Sequence, residues 1–238
     1  MDRIENSLQK EIDLSGIRYV ILDWDGTVVD SMPVYIKTFS SILKKQFNIL
    51  EDQSEQFFTG EAGGKALSYQ FKEGIRRFAN VDIQDSENLE SIFWDLLKDQ
   101  SPSLIVGIKE LLIELRRRNM FIISWSGSPG DINQSVAERV GLSDFFDLIT
   151  GSERGSSTKV KGQELFEDIA KHFGISSVDL ARQSLVVGDM KGDVDAGLQV
   201  GAITAGFGDP KDPKFKDADF VFQTHQELLD MLGQTSTH

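Results

Sequence analysis

From residue 104 onward the chain alternates short apolar runs with stretches of helical period. Ile108, Leu111, Leu112 and Leu115 fall at i, i+3, i+4 and i+7, one face of a helix running from near Gly107 to near Asn119. Residues 120–123 then form an apolar run of strand type, 132–140 read as helix and 145–150 as strand. Phe166, Ile169, Ala170 and Phe173 mark another helix face, closed by Gly174. Strands over 185–187, 202–205 and 220–222, with helices over 194–200 and 225–232, complete the pattern. Strand followed by helix, repeated, predicts an α/β fold: a doubly wound parallel sheet with helices on both faces.

Such sheets bind ligands beyond the carboxyl ends of their strands. Polar residues should therefore gather where the apolar runs stop, and they do. The run Tyr19-Val20-Ile21-Leu22 stops at Asp23 and Asp25, the second at Ser124 and Ser126, and Leu185-Val186-Val187 at Gly188-Asp189. Side chains alternate along an extended strand, so Asp23 and Asp25 would share one side and Trp24 the other. Gly26 lets the backbone turn close to a ligand, and Thr27 offers a hydroxyl and an amide.

Residues 31–103 break the alternation. Phe39, Ile42, Leu43 and Phe47 suggest one helix, Leu67, Phe71, Ile75 and Phe78 a second, and residues 92–97 a third. The expected organisation is an extension over residues 1–16, an α/β core over 17–31 and 103–238, and an all-helical cap inserted over 32–102.

The second acidic pair lies in GDMKGDVDAG, where Asp189 ends a strand and Asp193 begins the next helix. If both pairs converge, four carboxylates share a small volume, and two like charges ~4 Å apart repel by about 4 kcal/mol at an effective dielectric near 20. Such a group holds protons or binds a cation, and oxygen-only donors favour a hard ion, here Mg2+. The complementary polarity would come from Ser124 or Ser126 with the amides of Ser126-Gly127-Ser128, and from Lys159 or Lys161 before the Phe166 helix. Carboxylate, cation, hydroxyl and lysine together describe phosphoryl transfer.

Charge narrows the substrate. A net charge of −13 over 238 residues repels phosphate backbones and anionic lipid, so neither nucleic acid nor a membrane surface is expected as partner. A small phosphorylated metabolite fits a cleft in which a cation reverses the field. The absence of cysteine excludes thiolate chemistry, and His172, His225 and His238 lack metal-site spacing. No apolar stretch resembles a signal or a span, which places the protein in the cytoplasm as an expectation.

DWDGTVVDS, WSGSP, the lysine in STKVKGQELF, and VVGDMKGDVDAGLQVG together resemble the haloacid dehalogenase-like hydrolases over roughly residues 17–232. The resemblance is to the subfamily with a helical cap after the first strand, which includes phosphoglycolate phosphatase and beta-phosphoglucomutase. It implies that Asp23 is a nucleophile carrying the phosphoryl group and Asp25 a general acid and base. It implies Mg2+ held by the Asp23 carboxylate, the Asp25 main-chain carbonyl and Asp189, with support from Asp193. Family spacing selects Ser126 over Ser124 and Lys161 over Lys159 as phosphate-binding groups, beside Thr27 and Gly127. The proline that commonly follows the family's lysine is absent, since Gly162 follows Lys161.

Family dehalogenases lack aspartate at the position of Asp25, and phosphonatases carry alanine there, so Asp25 implies a phosphate ester or anhydride. The expected activity is a phosphatase, with a sugar phosphomutase as the nearer rival and a non-enzymatic phospho-aspartate switch as the remote one. GEAGGKA at 60–66 fails the nucleotide P-loop pattern, because Thr59 replaces its first glycine and Ala66 its hydroxyl residue. As a cap turn facing the active site, it makes Lys65 a candidate substrate ligand.

Overall fold

The computed structural model describes residues 12–63, 65–153 and 161–234. Strand β1 (Tyr19–Leu22) leads through a tight turn to the two-residue β2 (Val29–Asp30). Four helices follow, α1 (Met32–Phe47), α2 (Glu51–Thr59), α3 (Leu67–Ala79) and α4 (Glu87–Leu97). The chain returns by β3 (Ser103–Leu104) and continues as α5 (Ile108–Arg117), β4 (Phe121–Pro129), α6 (Gly130–Arg139) and β5 (Leu148–Ser152). It then forms α7 (Gln163–Phe173), α8 (Ser177–Arg182), β6 (Ser184–Gly188), α9 (Lys191–Val200), β7 (Ile203–Phe207), β8 (Phe220–Phe222) and α10 (His225–Gln234).

Six of these strands make one sheet in the order β5-β4-β1-β6-β7-β8, every pairing parallel. The chain runs outward from β1 first towards β5 and then towards β8. β1 is therefore flanked by the two strands between which the order reverses, where crevices open in such sheets. Alternation along β1 divides the core. Tyr19 and Ile21 pack with Leu165, Phe166 and Ile169 of α7 and Leu180 of α8, whereas Val20 and Leu22 join Leu111, Leu112 and Leu115 of α5 and Leu228 of α10. Both faces of the sheet are covered, as its nearly unbroken apolar strands require.

β2 and β3 pair antiparallel, Asp30 opposite Ser103, at the foot of the helical insertion. The insertion has its own aromatic centre. Phe39 is fully buried, with ring centroids 4.9 Å from both Phe58 and Phe71.

The structure adds to the sequence reading the short helix α8 and the β2–β3 pair, and departs from it elsewhere. Among the described residues the insertion holds four helices rather than three. Helix α2 escapes an apolar count because Ser54 takes an inward position beside Phe57 and Phe58, its hydroxyl satisfied by the Glu51 carbonyl at 2.8 Å. β4 does not end with its apolar run but continues to Pro129, pairing Ser126 with Gly151. Where strand was expected from 145, Ser143–Phe145 is a 3-10 turn and the strand starts at Leu148. Leu14, assigned to the extension, is buried in the main core, while residues 1–11 lie outside the described residues.

Removing the Phe39 ring leaves a cavity that Phe58 and Phe71 cannot both fill. Phe39→Ala is expected to cost about 3–5 kcal/mol, measured by urea unfolding.

Candidate functional site

β1 ends one residue before Asp23, whose amide donates to the Val187 carbonyl of β6 at 2.8 Å. This bond continues the sheet past the strand end and fixes the buried Asp23 backbone. The following turn closes with Gly26 N–H donating to Val29 O at 2.8 Å and Val28 N–H donating to Trp24 O at 3.0 Å. Gly26 has φ +83°, and a Cβ there would stand 2.5 Å from Asp189 Oδ2. Left-handed backbone and a carboxylate against the α-carbon both demand glycine. Trp24 points away into the core, and Trp125 is likewise buried.

Asp189 follows β6, and Asp193 lies in the first turn of α9, where its Oδ2 accepts the Met190 N–H at 2.9 Å. A carboxylate is favourable at that end of a helix. One oxygen each from Asp23, Asp189 and Asp193 fall within 4.8 Å of one another. Lys161, just before α7, sends its ammonium between two of them, donating to Asp23 Oδ1 and to Asp193 Oδ1. Lys159 lies outside the described residues.

Three carboxylates therefore converge, not four. The Asp25 side chain is held apart by hydroxyls: Tyr35 donates to its Oδ1 at 2.9 Å, and Ser128 and Ser126 donate to its Oδ2 at 2.7 and 3.2 Å. Tyr35 and Ser128 are also 2.9 Å from each other. Each hydroxyl has one proton, so both donate to Asp25 or one donates to the other.

The electrostatics follow from burial. Desolvation pushes the Asp23 carboxyl well above the usual range; Lys161 opposes this, while Asp193 and Asp25 add to it. Asp189 is raised to about 6, first by burial and then by the Asp193 charge. For Lys161, burial works against the charge, but Asp23 and Asp193 outweigh it and hold the ammonium protonated. Burial first, then the Asp25 charge, push the Tyr35 phenol well above its ordinary value, so it serves as a donor.

The Lys161 ammonium thus pairs directly with two of the three carboxylates, and the positive charge felt by Asp189 comes from the more distant Lys161 and Lys214. Among the described residues Asp189 Oδ1 is buried without a hydrogen-bond partner. The unmet donor demand and the all-oxygen set suit a hard divalent cation.

The other expected site residues are distributed around this centre. Ser126 Oγ accepts the Ser128 N–H at 3.0 Å while donating to Asp25. Gly127 is exposed, with open space where a side chain would stand. Thr27 and Ser124 are fully buried, their hydroxyls without a partner among the described residues. Lys65 sits exposed on the turn between α2 and α3, joined to Ala62 and Gln70 only through its backbone among the described residues.

Tyr35 and the Ser128 hydroxyl did not emerge from the sequence reading. Tyr35 lies one turn before Phe39 on the same helical stripe, and an aromatic with a polar tip at the start of a core-facing helix was the available signal.

The sequence profile of the haloacid dehalogenase-like hydrolases matches residues 17–201. The chain belongs to this family. It is similar to a phosphoglycolate phosphatase from Pectobacterium atrosepticum, 22% identical over 235 residues covering 95% of this chain and 97% of the relative. Among solved structures it is similar to a Haemophilus somnus protein provisionally named phosphoglycolate phosphatase, with TM-score 0.73, 20% identity, and 91% and 98% of the two chains covered. It also resembles YfnB from Bacillus subtilis, provisionally named a hydrolase of this family and solved with magnesium bound. There the TM-score is 0.69, the identity 18%, and the coverage 91% of this chain and 98% of YfnB. These likenesses bear out the α/β core with a helical cap.

Asp23 and Asp189 both hold protons more tightly folded than unfolded. Their contribution to stability is full below about pH 4 and is lost for Asp189 as pH rises through about 6. In EDTA, Asp189→Asn is expected to raise the stability of the protein at pH 7 by about 1 kcal/mol or more, roughly 2–4 °C in Tm for a chain of this size. The gain should shrink towards pH 4, and thermal unfolding across that range measures it.

Proposed function

We propose that this hydrolase is a Mg2+-dependent phosphatase that removes the phosphoryl group from a small phosphorylated metabolite through an aspartyl-phosphate on Asp23. The observation that carries the reading is the pair of carboxylate environments at one strand end. Asp23 lies against Lys161 beside Asp189 and Asp193, whereas Asp25, two residues on, is surrounded by hydroxyls. The first environment suits a nucleophile that must accept an anionic group. The second suits a carboxyl that exchanges protons.

Asp23, Asp189 and Asp193, with the Asp25 main chain as the family resemblance implies, would hold Mg2+. When bound, that ion supplies positive charge to neutralise phosphate oxygens. A carboxylate oxygen of Asp23 attacks phosphorus, the bond to the leaving oxygen breaks, and Asp25 protonates that oxygen. Asp25 then takes a proton from the water that attacks phosphorus, which frees Asp23 and inorganic phosphate. Lys161, Ser126 and Thr27 provide donors for the phosphate, and Gly127 leaves room for it to approach. The helical segment 32–102 covers the site, excludes water during transfer and selects the leaving group. Lys65 on its outer turn would meet substrate only after a movement of that turn.

The curated phosphoglycolate phosphatase relative supports a small phosphate monoester as substrate. The net charge of −13 favours a small ligand over a polyanion. Among the described residues no helix is long and apolar enough to cross a membrane, which agrees with a cytoplasmic site of action.

Wild-type protein with Mg2+ is expected to release phosphate stoichiometrically from p-nitrophenyl phosphate and from at least one metabolite monoester. Asp23→Asn or EDTA should abolish release, and Asp25→Asn should slow it by about 10²–10⁴-fold with the fold intact by circular dichroism. Full activity of Asp23→Asn sinks the mechanism. Isomerised sugar phosphate without net release would replace it with a mutase, and a phospho-aspartate persisting for minutes with a switch.

A further inference from the structure

The Asp25 carboxylate is bound by a residue of the helical insertion. Tyr35 stands in the first turns of α1 and reaches out of the insertion to Asp25 Oδ1 at 2.9 Å, while Ser126 and Ser128 approach Oδ2 from β4. The phenol is itself held from the far side. Its ring meets Phe93 and Trp94 of α4 edge-on, with centroids 5.6 and 6.2 Å away, and Phe93 in turn packs on Phe71 of α3. Three helices of the insertion thereby fix where one hydroxyl stands, and that hydroxyl fixes one oxygen of Asp25.

This arrangement differs from a surface hydrogen bond. Phe93 and Phe71 are almost wholly buried, so the Tyr35 ring moves only with the helices behind it. Asp25 follows Asp23 by two residues in a turn pinned by backbone bonds, which leaves side-chain rotation as its main freedom. The two serines hold Oδ2, and Tyr35 sets the orientation of the carboxyl plane about that anchor. Misplacement of a proton-transferring group by about 1 Å is enough to cost rate.

We infer that Tyr35 is a positioning residue through which the helical insertion aims the Asp25 carboxyl at the leaving oxygen, so that proton donation depends on how the insertion sits on the core. The inference rests on the phosphatase reading above. It makes a demand that a packing role does not. A proton donor matters for an alkoxide leaving group and little for dinitrophenolate, which departs as a stable anion. Loss of aim at Asp25 must therefore separate substrates by leaving group, whereas general loosening of the site must slow all of them alike.

The test compares kcat/KM for an alkyl phosphate monoester and for 2,4-dinitrophenyl phosphate, since this ratio reports the phosphorylation of Asp23 before water enters. Tyr35→Phe keeps the ring and removes only the hydroxyl, and thermal unfolding verifies that the variant is folded. We expect about a tenfold loss on the alkyl ester, the scale of one hydrogen bond to a charged group, and less than about twofold on the dinitrophenyl ester. Ser128→Ala, which removes the neighbouring donor, should show the same selectivity. In an Asp25→Asn background Tyr35→Phe should add no further loss on the alkyl ester, as expected of a residue acting through Asp25. Equal losses on both esters, no loss on either, or a full additional loss in the Asp25→Asn background each overturns the inference while the phosphatase reading stands. Wild-type protein inert towards both esters overturns that reading and the role of Tyr35 with it.

Discussion

The Lys161 ammonium wedged between Asp23 and Asp193 is the interaction on which the site depends. Asp23 and Asp193 are both almost completely buried, and the side chain of Lys161 is only 16% exposed. Charges withdrawn from water to this degree persist only when paired, and removing one partner of such a pair typically costs about 3–5 kcal/mol. The lysine holds together elements far apart in the chain: the end of β1, the start of α7 and the first turn of α9. Its compensation is also incomplete, and the incompleteness is useful. A second cationic side chain there would leave less attraction for a metal.

The two aspartates of the DWD sequence are separated by one residue and differ in almost everything else. Asp23 faces a cation and two other carboxylates, while the Asp25 carboxylate is hydrogen-bonded by the hydroxyls of Tyr35, Ser126 and Ser128. The difference arises in the turn that follows β1 and is closed at Gly26, which leaves Asp25 facing β4 and α1 rather than β6. A positive φ that only glycine adopts easily thus assigns two chemically identical groups to different tasks.

The parallel sheet was legible in the sequence because its strands are buried on both faces and its helices on one, and these produce different apolar periods. The positions of Asp23, Asp25 and Asp189 followed from where the apolar runs stop. Ser126 shows the limit of that rule: the apolar run ends at Ile123, but the hydrogen-bonded ladder to β5 carries the strand to Pro129. Ladder bonds use the backbone, which the side-chain pattern does not report. Helix α2 was hidden for a related reason, since an inward serine that bonds its own helix is invisible to a count of apolar residues. Tyr35 carried a sequence signal, an aromatic with a polar tip at the start of a core-facing helix, but its partner did not, because periodicity describes each element alone. Family spacing favoured Lys161, whose ammonium meets Asp23 and Asp193, while Lys159 lies outside the described residues.

The short ribbon of β2 and β3 places Asp30 opposite Ser103, so the chain leaves the core and re-enters it at neighbouring points. The sheet therefore experiences the intervening segment as a single closed loop whose ends are already joined. The entropy of closing a loop grows only slowly with its length, about 0.6 kcal/mol per doubling. A change in the length of what lies beyond the ribbon therefore adds little closure entropy. The ribbon thus separates how the intervening segment is attached from what it carries, and the contact of Tyr35 with Asp25 is where a change in that segment would reach the carboxylates.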